Sequence, residues 1–218
     1  DQHFQHVPYL LGGHPSIADF GFMAPLFAHL GRDPAPASIM ALRAPNVMRW
    51  KERMNLAVIE DAEYPSIPAS DDAFSDAIPP TLLPILKLIF SDWTPELKAN
   101  TECFNAWVRA NPDKEPGQLV CQDGKRRVHP TIGPIAYAWR NVAMRRASAP
   151  QTLWHFSQAL DQTRALNGSA RARFDELIAH VEGQDAMAIT LKRPIVRRNH
   201  VLVLGDETPM QAAPGEPT

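Results

Sequence analysis

Cys121 is followed closely by Lys125, Arg126, Arg127 and His129. Positive charge beside a thiol favours the thiolate, and an imidazole reaching it across a turn would serve as its base. The same spacing also suits a plain structural thiol on a strand. Cys103 stands beside Phe104 and Trp107 and reads as a buried, inert thiol. His3 and His6 have the i, i+3 spacing of a metal-binding pair, with His14 nearby, but no Cys or Glu motif completes a ligand set. Two arginine groups could hold a carboxylate or phosphate: Arg126, Arg127, Arg140, Arg145 and Arg146, and then Arg193, Arg197 and Arg198. Charges of the second group also suit the edge of a sheet, where they prevent sticking. Gly12-Gly13 lacks the spacing of a phosphate loop. Ser16 and Asp19 resemble a catalytic couple only superficially. Their three-residue spacing is that of a capping box, with Asp in place of Glu or Gln. No residue is therefore assigned a catalytic role, and no metal or cofactor ligand is assigned.

These residues lie in a chain of 218 with a net charge of −2, 44% hydrophobic side chains and 21 prolines. That proline share is about twice the usual one and favours short, interrupted helices. Two cysteines form no framework, which fits a reducing, cytoplasmic setting. No apolar run is long enough to span a membrane. Residues 1–124 carry 9 basic and 16 acidic side chains, whereas residues 125–200 carry 13 and 5. An acidic front and a basic back are compatible with an anionic ligand or partner for the second half. The basic residues have no aromatic interleaving and no nucleic-acid motif, so attraction between the two halves explains the asymmetry better, and no nucleic-acid partner is expected.

The fold expected is mainly α, with a small β element near the C-terminus. Ser16 opens a helix over about 16–30 that is apolar nearly all round, which places it inside a bundle. Pro25 should bend it and Gly31 stop it. Residues 46–54 form a short helix with Val47, Trp50 and Met54 on its apolar side and Arg49, Lys51 and Arg53 on others. The acidic, proline-bearing stretch 61–80 is a loop or linker. Helices are expected over 82–90, 95–110, 132–146, 153–166 and 170–181. Asp123-Gly124 signals a hairpin within 118–128, and 187–204 alternates as one or two strands. The divisions expected are 1–60, the linker 61–80, an extension over 81–204 and a disordered tail over 205–218.

The stretch from Tyr9 to Phe20, with Gly12-Gly13 and the Ser16-x-x-Asp19 box, resembles the all-helical C-terminal domain of glutathione S-transferases from its sixth helix onward. Leu26 to Leu30 continues the likeness, and Pro45-x-x-x-x-Trp50 resembles the start of the seventh helix. Beyond Met54 the chain reads as a long extension of that pattern.

The resemblance implies an enzyme that conjugates glutathione to hydrophobic electrophiles. It also implies a thioredoxin-like N-terminal domain upstream, a parent protein able to form homodimers, and glutathione as co-substrate. The thiol-activating Ser, Tyr or Cys of that family belongs to the thioredoxin-like domain, and no position here matches it. The chain therefore reads as the downstream part of a larger protein and is expected to be inactive alone. The alternative is a non-catalytic helical scaffold or protein-interaction module.

Overall fold

The computed structural model describes residues 1–56, 64 and 77–206. The linker over 61–80 and the tail over 205–218 lie largely outside the described residues. Two compact units are present, Asp1–Ile85 and Leu86–Thr218. The described residues are mainly helical, with two antiparallel strand pairs. Among the described residues, no helix is long and apolar enough to cross a membrane.

The first unit holds α1 (Gln2–His6), α2 (Ile17–Pro25), a π-helical turn (Leu26–Leu30), α3 (Pro34–Arg43) and α4 (Pro45–Arg53). Prolines at the first positions of α3 and α4 give up N–H groups that would be unpaired there anyway. The Asp1 carboxylate holds the start of α4, accepting the Asn46 backbone N–H at 2.7 Å and its side-chain amide at 3.0 Å. Phe4 of α1 stacks on Trp50 of α4 with ring centroids 5.0 Å apart. Pro25 replaces one donor of the ladder, and the chain leaves α2 through the wider π turn rather than continuing as one rod.

The expectation that α2 lies inside a bundle is not met among the described residues. Ile17 is 90% exposed and Phe20 61%, and among the residues of α2 only Asp19 is buried. An apolar surface all round makes burial favourable, but burial needs neighbours on every side, and the described residues cover one side only.

The second unit is built on α5 (Leu83–Ala110), whose first turn begins in the first unit. Two helices were expected here, but one runs through Pro95. Thr94-Pro95 signals a helix start, and an interior proline costs a hydrogen bond and crowds the preceding turn. Yet Phe90 and Trp93 before it and Leu97 and Phe104 after it pack on one core that keeps the helix continuous. Leu97 and Phe104 of α5 meet Leu153, Phe156 and Leu160 of α6 (Pro150–Arg164) in the core. Buried Asn100 ties these helices together, since its side-chain oxygen accepts the Ala149 N–H at 2.6 Å where α6 begins. Asn105 binds both ways to the segment after α8 (Gln184–Met187), donating to the Thr190 carbonyl and accepting from the Lys192 N–H. α6 and α7 (Gly168–His180) fall where the helical periodicity places them.

The helix expected over 132–146 is instead a hairpin of β1 (Pro134–Trp139) and β2 (Val142–Ala147). Its tip needs positive φ at Arg140 and Asn141, +46° and +68°, the geometry of a tight hairpin turn. α5 fastens it: Asp92 takes the Arg140 guanidinium with two hydrogen bonds, and Glu96 takes both Tyr137 and Arg146. At the other expected hairpin, Asp123-Gly124 does turn the chain, with the Gln122 N–H donating to the Thr131 carbonyl at 3.0 Å across the loop, but no strand pair forms between 119–121 and 126–128. Residues 118–120 pair instead with β4 (Val201–Leu204), through Val120 N–H to the Leu202 carbonyl at 3.0 Å and Leu204 N–H to the Gln118 carbonyl at 2.9 Å. β3 (Ile195–Arg198) pairs with β4 on its other side, as the alternation over 187–204 suggests. β4 is therefore bonded along both edges, and all four of its residues are buried.

Candidate functional site

The residues that carry the resemblance converge on one carboxylate. Asp19 is fully buried. Its Oδ2 accepts the Ser16 backbone N–H at 2.9 Å and the Ser16 hydroxyl at 2.7 Å. With the Ser16 side chain facing the backbone of Asp19, the box is reciprocal. Its Oδ1 accepts the Leu10 N–H at 2.9 Å and the Trp50 indole N–H at 3.0 Å. One side chain thus joins the turn before α2, the start of α2 and the middle of α4. Four donors meet the acceptor capacity of an ionised carboxylate, which is what a buried carboxylate requires.

Beside this node, α4 turns two cations inward that the helical pattern places away from its apolar side. The Arg53 guanidinium donates to the Pro8 carbonyl from Nε at 3.3 Å and from a terminal nitrogen at 3.2 Å, and lies 5.8 Å from the Tyr9 ring. Lys51 pairs with Glu52 and lies 5.8 Å from the Phe27 ring. Long aliphatic stems explain how such residues fill a core while their charged ends find oxygens and ring faces.

His3 points inward as well, bonding the Tyr9 carbonyl through Nε2 and Thr81 through Nδ1. Burial holds its imidazole below its ordinary value, partly opposed by the Tyr9 hydrogen bond and the charge of Asp19. The unfolded chain takes up this proton near pH 6.5 while the folded one resists it. His3 stabilises the first unit fully above that pH, and the contribution falls as acidification proceeds toward the lowered folded value. Thermal melts between about pH 7 and pH 5 should show the first unit weakening in acid, and His3→Gln should flatten that slope. An unchanged slope in the variant would assign the effect to other groups.

The remaining candidates are dispersed. His6 is exposed and His14 half-buried, and among the described residues no group of three metal-ligating side chains forms. Cys121 is buried and His129 exposed, with no hydrogen bond between them, so the two do not make a nucleophile and its base. Cys103 is half-buried beside Gly133 rather than sealed in the core. Of the arginines, Arg127 pairs with Asp123, Arg140 with Asp92 and Arg146 with Glu96. Arg197 lies over the Trp154 ring, and Arg193 is buried against backbone carbonyls.

The surface that sequence reasoning missed is the outer strip of α2. Ile17, Phe20, Gly21 and Ala24 are exposed at helical spacing, so they share one face. Gly21 costs the helix about 1 kcal/mol relative to Ala, and nothing lies within 4 Å of where its Cβ would be. An apolar strip with a bare backbone at its centre suits another element packing closely against it. Chemically, this is a packing surface rather than a reaction centre. Comparison with family models, with curated proteins and with solved structures gives no match.

Proposed function

We propose that this chain is a non-catalytic part of a glutathione S-transferase-like protein, with its first unit acting as the packing end of the helical domain. The observation that carries the reading is Asp19, because two of the three stretches behind the resemblance, Tyr9–Phe20 and Pro45–Trp50, are joined through that one carboxylate. The exposed strip of α2 is then the face on which the upstream helices of such a protein dock.

Glutathione chemistry is not assigned to these residues. The Ser16 hydroxyl is spent on Asp19, Cys121 is buried, and the Tyr137 hydroxyl donates to Glu96 at 3.1 Å. Burial and the neighbouring Glu96 both raise the Tyr137 phenol above its ordinary value, the opposite of what thiol activation asks.

Incubating the chain with glutathione and an aryl halide should give no rate above background. The natural protein that contains it should conjugate the two and be retained on immobilised glutathione. Saturable turnover by the chain alone would contradict the reading, as would a natural protein without a thioredoxin-like domain. The second outcome would favour the interaction-module alternative, which the exposed α2 strip also supports. Phe20→Glu should lower binding of a hydrophobic dye to the chain and change its stability by less than about 0.5 kcal/mol, as expected for a surface position.

A further inference from the structure

The two faces of the sheet in the second unit have different company. Ile195, Leu202 and Leu204 enter the core. Arg198, Val201 and Val203 alternate to the other face, where Leu119 bridges to Val203. There they form part of a groove of about 550 Å³ whose other walls include Lys114 and Arg126. No acidic side chain lines it.

Elsewhere in this unit five arginines make ion pairs, Arg127, Arg140, Arg146, Arg164 and Arg171. Arg126 and Arg198 make no ion pair with any described residue, and both line the groove. Lys114, Arg126 and Arg198 are like charges lining one groove, with the Lys114 ammonium also 5.4 Å from the Trp107 ring, and an anion in the groove offsets their repulsion.

The walls are held in place. The buried Arg193 guanidinium donates to the Lys114 carbonyl and, at 3.1 Å, to the Gly205 carbonyl, which anchors the backbone that carries Lys114. The Asp123 carboxylate accepts the Lys125 N–H at 3.2 Å and shapes the turn that leads into Arg126. Gly117 has φ +85°, and its Cβ position would lie 3.8 Å from the Arg198 guanidinium, so a bare backbone sits beside that cation.

We propose that this groove binds a small phosphate monoester with an apolar body, the phosphate held by Lys114, Arg126 and Arg198 and the body resting on Val201 and Val203. Three cations suit a dianionic head better than a single carboxylate. The lining has no aromatic side chain on which bases could stack, which disfavours single-stranded nucleic acid.

Titration of the whole isotope-labelled chain with phenyl phosphate, followed by amide NMR, tests this. Saturable shifts are expected at Gly117, Gln118 and Gly124. Inorganic phosphate should bind more weakly, and benzyl alcohol should leave these signals unmoved. Arg126→Ala and Arg198→Ala should each weaken phenyl phosphate by about tenfold, the scale of one charge-assisted hydrogen bond. Arg145→Ala, on β2, should not weaken it. The same spectra report folding, and Arg→Gln at either position replaces an alanine variant that unfolds. The proposal is overturned by shifts that do not saturate, by affinity indifferent to both arginines, or by tighter binding of a single-stranded oligonucleotide.

Discussion

Asp19→Ala is expected to remove most of the stability of the first unit. The substitution leaves three buried donors without an acceptor: the Leu10 N–H, the Ser16 N–H and the Trp50 indole N–H. Each such group costs about 1–3 kcal/mol. Their sum, about 3–9 kcal/mol, is a large share of what a small domain possesses. Ser16→Ala removes one hydroxyl from the same box and should cost only about 1 kcal/mol. Trp50 is the one tryptophan within residues 1–85, so amide and indole NMR signals report this unit directly. Urea titration should show them losing native dispersion at much lower denaturant in Asp19→Ala. A variant within about 1 kcal/mol of the parent would mean that water or relaxation satisfies the freed donors.

Phe104→Ala should damage the second unit to a similar degree. Phe104 is fully buried in α5, stacks near Trp107 at a centroid distance of 6.2 Å, and shares the core with Leu97, Leu153 and Phe156. Truncating such a ring removes its transfer energy and leaves a cavity that close-packed neighbours fill only partly, about 3–5 kcal/mol in all. Denaturant melts followed by near-UV circular dichroism should show the midpoint fall accordingly. A loss below about 1 kcal/mol would show that the helices close over the space.

The short-range features of this chain are legible in its sequence, and the long-range ones are not. Ser16-x-x-Asp19 declares itself because both partners lie within one helical turn. The other carboxylate oxygen binds Leu10 and Trp50, 9 and 31 residues away, and no spacing announces that. α6 and α7 are readable from their periodicity and from the Asn167-Gly168 break between them.

An apolar stretch such as Ile135 to Trp139 fits a helix or a strand equally well, and the helix expected over 132–146 is a hairpin. Asp92 and Glu96 hold the hairpin from about fifty positions upstream on α5, contacts that no local spacing announces. Asp123-Gly124 was sufficient to announce a turn but not which strand its flank would join, since Leu119 pairs with Val203. For α2 the error has a different origin. Apolar residues on every face state what a helix can bury against, not what is present to cover it.

The same distinction separates the two candidate surfaces. The strip on α2 is written in residues 17–24 themselves, whereas the basic groove exists only once residues 114–126 and 198–203 are brought together by β-pairing. Arg126 and Arg198 come to share one groove only once β3 and residues 117–120 are paired on either side of β4.

Hydrogen exchange at the Trp50 indole N–H, together with the Leu10 and Ser16 amides, tests the Asp19 node most directly. All three protons should exchange slowly and with one common free energy, that of opening the whole first unit, because they share an acceptor. Fast, independent exchange of the indole proton while the amides stay protected would mean that the carboxylate does not bind α4 to the start of α2.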